Sequence, residues 1–103
     1  MIRHIVLVNF KADISADTIQ SLFDRLADLR SQLPGMRDFD ASPSISPEGL
    51  EQGFKHGICI DFVDEDARDA YLALPDHKAL GAELVSLAED GIKGLLVFDL
   101  KVG

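Results

Sequence analysis

The sequence has one cysteine, no tryptophan and one tyrosine in 103 residues. A single thiol, Cys59, forms no internal disulfide, and its place in an apolar stretch reads as a small core residue. Basic residues are also few, 10 against 18 acidic ones, for a formal charge of −8. Nucleic-acid affinity rests on cations facing phosphates, so a chain without a basic stripe is not expected to bind nucleic acid. Anionic membranes are not expected partners for the same reason. No run approaches the ~18 consecutive apolar residues of a transmembrane helix. The opening MIRHIVLVNF is too short for a signal sequence and lacks a small-residue cleavage site, so it reads as a strand and a cytoplasmic location is expected. Phosphate loops, nucleotide fingerprints and the Gly-x-Ser-x-Gly elbow are missing. The histidines, His4, His56 and His77, are spread too widely for a compact ligand spacing, so no metal is expected.

What is present suits one domain spanning 1–103, burying roughly 65% of the surface that the unfolded chain exposes. Residues 2–11 are a strand with Ile2, His4, Val6, Val8 and Phe10 on one face and Arg3, Ile5, Leu7, Asn9 and Lys11 on the other. Residues 15–33 are a helix whose Ile19, Leu22, Phe23, Leu26, Leu29 and Leu33 make one apolar stripe. Ser15 is its N-cap, and Pro34-Gly35 ends it. A polar edge strand over 36–44 and a Ser/Pro/Gly loop precede a strand over 54–63, in which Phe54, His56, Ile58, Ile60 and Phe62 face one way. Asp64 caps a helix from about 65 to 74 that stops or kinks at Pro75 and resumes to about 89. Residues 92–102 are the last strand.

This β-α-β-β-α-β order predicts an α+β, ferredoxin-like fold. Its four-stranded antiparallel sheet has the first and third strands at the centre and its helices on one face. Yet the first and last strands are apolar on both faces. A bare apolar sheet face of several hundred Å² needs a cover, and a second copy packed sheet to sheet supplies one. A two-fold homodimer forming a dimeric α+β barrel is therefore expected.

Three strand residues break the apolar pattern: His4, His56 and Asp99. A carboxylate in such a strand needs a partner, because burying it alone costs several kcal/mol. Antiparallel pairing of the last and first strands brings Asp99 beside His4. The segment YLALPDH at 71–77 puts Tyr71 and His77 on either side of the proline break, above the same corner. A carboxylate-oriented imidazole near a phenol can exchange a proton and hold a carbonyl oxygen.

The distribution of these residues resembles the stress-responsive A/B barrel (Dabb) family. The likeness rests on RHIVLVNFK at 3–11, LPGM at 33–36, FKHGICIDF at 54–62, DAYLALPDH at 69–77 and LLVFDLK at 95–101. It implies a dimeric α+β barrel. It also implies kinship with plant heat-stable stress proteins and with plant polyketide cyclases, which close a linear tetraketide by aldol condensation without a cofactor. By that likeness His77 is the acid/base group, Tyr71 holds a carbonyl oxygen and Asp99 orients His77. His4 and His56 support the pocket or the dimer contact. Leu26 stands where the cyclases carry a pocket tyrosine, so a different substrate is implied. The resemblance and the candidate residues together imply two roles, a cofactor-independent cyclase, lyase or isomerase on a small carbonyl compound and a non-catalytic stress or apolar-ligand-binding protein; a cofactorless monooxygenase is implied by analogy of fold alone.

Overall fold

In the computed structural model, which describes residues 1–103, strand β1 (Ile2–Val8) alternates buried and less buried positions. It pairs antiparallel with β3 (His56–Phe62) on one side and with β4 (Leu95–Lys101) on the other. Strand β2 (Met36–Pro43) pairs antiparallel with β3. The sheet order is β2-β3-β1-β4, so β1 and β3 are central as the pattern required. Three helices accompany it: α1 (Ala16–Asp28), α2 (Glu65–Ala73) and α3 (Pro75–Leu87). No helix is long and apolar enough to cross a membrane.

Local chemistry sets the helix ends. Ser15 Oγ accepts from the Thr18 backbone N–H at 3.1 Å, and Asp64 Oδ1 accepts from that of Ala67 at 2.8 Å. Each bond satisfies one donor that the first helical turn leaves unpaired. The α1 stripe is wholly buried and continues through a 3-10 turn at Leu29–Gln32 to Leu33. It meets Val8, Ile58, Ile60 and Phe62 from the sheet in one core. Each such side chain, fully buried, contributes about 1.5–3 kcal/mol.

Several element ends differ from the sequence expectation. Strand β1 stops at Val8 because Asn9 turns to the segment after α3, donating to Gly94 O and accepting from Glu89 N. Strand β3 starts at His56, since Gly53 has φ +91° and Phe54 N bonds back to Glu51 O. Residues 91–94 form a 3-10 turn, with left-handed Asp90 ahead of it and left-handed Gly91 as its first residue, so β4 begins at Leu95. The second helical stretch is two helices. Leu74 is extended (φ −64°, ψ 125°), as the residue before a proline prefers, and Pro75 is the first residue of α3.

All helices lie on one face of the sheet. The other face carries Ile5, Leu7, Cys59, Leu96, Phe98 and Leu100, with Phe98 63% exposed and Leu96 50% exposed. Polar residues rim it: Arg3 and Asp61 form a two-pronged ion pair at 2.9 and 3.1 Å.

Candidate active site

The register of β1 and β4 sets His4 directly opposite Asp99 on the helix-covered face. Cross-strand neighbours of this kind have Cβ atoms about 5 Å apart, within reach of a direct bond. His4 Nδ1 and Asp99 Oδ1 are 2.6 Å apart. With the carboxylate ionised, Nδ1–H is the donor and Nε2 is the free nitrogen. His4 is only 4% exposed.

Helix α2 closes over this pair. Tyr71, 3% exposed, packs edge-on against the His4 ring at 5.9 Å and tilted against Phe62 at 5.1 Å. One turn earlier on the same helix face, Arg68 Nη1 donates to Asp99 Oδ2 at 2.9 Å. Arg68 also donates from Nε and Nη2 to Asp69 Oδ1, at 3.2 and 3.1 Å. The break at Leu74 then sets the first turn of α3 against α2. His77 comes over Tyr71, with ring centroids 4.2 Å apart. Its Nδ1 is buried without a hydrogen-bond partner.

Burial tunes these groups. It pushes the Tyr71 phenol well above its ordinary value, so the phenol stays a donor at any physiological pH. It lowers His77, which the Leu72 carbonyl only partly offsets and the proximity of the titratable His4 reinforces. A lowered histidine is the neutral imidazole at pH 7, the form that takes a proton. Burial would raise Asp99, but the bonds from His4 and Arg68 outweigh it and hold the carboxyl below the usual range.

The structure therefore brings four of the expected residues together: His4, Tyr71, His77 and Asp99. It corrects one contact. Asp99 is bonded to His4 and Arg68, not to His77. It does not bring His56 to the others. His56 pairs with Val8, four positions along β1 from His4, or about 13 Å. There it packs edge-on to Phe10 at 5.1 Å and near Phe23 at 6.2 Å. It also lines a groove of about 660 Å³ on the far side of the sheet, together with Ile5, Leu7, Leu50, Phe54 and Cys59. Leu26 is a core residue on α1, 3% exposed. Neither this groove nor a cleft lined by Met1, Asp64 and Lys101 includes Tyr71 or His77. No group of three His, Cys, Asp or Glu side chains is placed to hold a metal.

Arg68 escaped the sequence reading. Its position three residues before Tyr71 was the available signal, because that spacing puts both on one face of α2.

Comparison with known proteins decides the family. The profile described as "Stress responsive A/B Barrel Domain" matches residues 2–102. The chain belongs to this family. Among Dabb relatives, it is 28% identical over 100 residues to the stress-response A/B barrel domain-containing protein HS1 of Arabidopsis thaliana, covering 97% of this chain and 88% of HS1. It is 24% identical over 98 residues to olivetolic acid cyclase of Cannabis sativa, covering 95% and 93%. A crystal structure of a dimeric ferredoxin-like protein of unknown function from Jannaschia sp. CCS1 superposes with a TM-score of 0.91. That protein is 31% identical, with 98% of each chain covered.

Proposed function

We propose that this Dabb protein is a cytoplasmic homodimer that performs cofactor-independent acid/base chemistry on a small carbonyl compound. The observation that carries the reading is the Tyr71–His77 contact at 4.2 Å, with His77 Nδ1 buried and unpaired beside it. In this reading the neutral His77 imidazole removes a proton from the carbon next to a carbonyl. The Tyr71 phenol donates a hydrogen bond to the oxygen on which charge gathers. The protonated His77 then returns the proton to the product or the leaving group. A positioned general base contributes about 10²–10⁴-fold and one oxyanion donor about 10²–10³-fold. The cyclase relative supports this reaction class. Leu26 at the position of a cyclase pocket tyrosine argues for a different substrate.

The dimer reading rests on the uncovered sheet face with Leu96, Phe98 and Leu100, and on the dimeric Jannaschia neighbour. The test of the activity is a panel of small aldehydes, ketones and β-dicarbonyl compounds assayed for substrate loss. His77→Gln is expected to lose about 10²-fold or more of any turnover found while keeping its fold. Full activity in that variant overturns the assignment.

A second reading has one observation in its favour: the rings of His4, Tyr71 and His77 pack on one another, and neither the groove at His56 nor the cleft at Asp64 reaches them. Here the cluster is structural and the protein is a durable stress or ligand-binding protein. Asp99→Ala then costs about 1–3 kcal/mol by leaving His4 Nδ1 unpaired, and no carbonyl compound is turned over. An unchanged melting temperature counts against it.

A further inference from the structure

We propose that Arg68 is a positioning residue that commits Asp99 to His4, so that His4, and not His77, is the carboxylate-held imidazole of this site. The proposal rests on the acid/base reading above only for its consequence in catalysis; the arrangement stands on geometry. Both Asp99 oxygens are engaged, Oδ1 by His4 Nδ1 at 2.6 Å and Oδ2 by Arg68 Nη1 at 2.9 Å. Turning the carboxylate toward His77 would break both bonds at once.

Arg68 is itself fixed. Its planar fork spans two carboxylates, with Nη1 on Asp99 and with Nε and Nη2 on Asp69. A lysine at this position offers a point charge and cannot hold both in one plane. The titratable and charged groups around Asp99 are therefore the His4 imidazole from β1, Arg68 and Asp69 from α2, and Lys101 two residues on along the same face of β4. His77 packs on the Tyr71 ring, and the hydrogen bonds of Asp99 go to His4 and Arg68 instead. Asp99 thus acts on His77 at second hand: it fixes His4, the edge of His4 seats Tyr71, and Tyr71 seats His77.

The consequence is a division of labour between two imidazoles. His4 is locked with Nδ1–H toward the carboxylate, and its free Nε2 belongs to the ring that packs against Tyr71. His77 is free of a charged partner and is the group able to change protonation and tautomer when a substrate arrives.

The experiment is nitrogen-resolved NMR of the histidine side chains in the intact protein, assigned with His→Gln variants. Wild type is expected to show a single Nδ1–H tautomer for His4, with that proton protected from exchange with water. Arg68→Gln is expected to speed its exchange about tenfold or more, as loss of a charge-assisted bond should. Arg68→Lys is expected to fall between the two. Asp99→Asn is expected to change the ring nitrogens of His4 and leave those of His77 near their wild-type positions. Should Arg68→Gln unfold the protein, Asp69→Asn loosens Arg68 from its other side and gives the same readout. An unaltered His4 exchange rate in these Arg68 or Asp69 variants overturns the proposal. So does an Asp99→Asn effect centred on His77. No substrate is needed, so the result is independent of whether His77→Gln loses turnover.

Discussion

The Tyr71 and His77 rings lie 4.2 Å apart across the joint between α2 and α3. An uninterrupted helix would place residues six apart at about 600° of rotation, on widely separated sides. The extended Leu74 and the helix-starting Pro75 cancel that phase and bring the rings together. A proline that looks disruptive in sequence thus assembles two chemical groups that regular helix geometry keeps apart.

Stability is expected to fall with acid in two stages. His77 and His56 are both lowered by burial, so the unfolded chain takes up protons first as pH drops through about 6.5. Nothing is lost from these groups above that value, and the loss grows below it. Asp99 and Asp61 are held low, so their contribution persists above about 3.9 and disappears as pH falls through their lower folded values. Melting temperatures from pH 8 to pH 3 check this. His77→Gln should shrink the first stage to the part that His56 supplies and leave the second.

Gly35 sets how closely α2 sits on β2. A Cβ at this position would overlap Ala67 Cβ and come 3.2 Å from Val63 Cγ2. Gly35→Ala should therefore push α2 outward and cost about 1–3 kcal/mol in urea unfolding. Ala67→Gly is expected to recover part of that loss in the double variant. Additive losses would show that the two sites do not share this contact.

The uncovered sheet face predicts assembly. Light scattering should give twice the 11.3 kDa chain mass for the wild type. Phe98→Asp, which puts a charge at the centre of the exposed patch, should weaken association by about 10²-fold, the equivalent of one lost large apolar contact. A dimer unchanged by this substitution would place the interface elsewhere.

Much of this architecture was legible from pattern alone. Period-two alternation assigned Ile2, His4, Val6 and Val8 to one face of β1 and Ile5 and Leu7 to the other, and the structure keeps both sets. Antiparallel pairing was enough to bring Asp99 to His4. What stayed hidden depends on helix roll and on loop geometry. Arg68 sits among Asp66, Asp69 and Glu65, a run that looks like a solvated face, and only the packing angle of α2 turns it toward β4. The strand ends at Val8 and Leu95 follow from the backbone bonds of Asn9 with Gly94 and Glu89, a pairing between distant segments that no local pattern encodes. The expectation that Asp99 orients His77 came from likeness to other proteins; here the two bonded partners of the carboxylate are His4 and Arg68.

The most direct test of the central claim is deuterium uptake, followed by NMR, at the carbon next to the carbonyl in small ketones and β-dicarbonyl compounds incubated in D₂O. Wild-type protein is predicted to accelerate uptake into at least one of them. His77→Gln should lose about 10²-fold or more of that acceleration, and Tyr71→Phe a smaller part. Uptake at the buffer rate across the whole panel, or acceleration that survives in His77→Gln, would contradict the account.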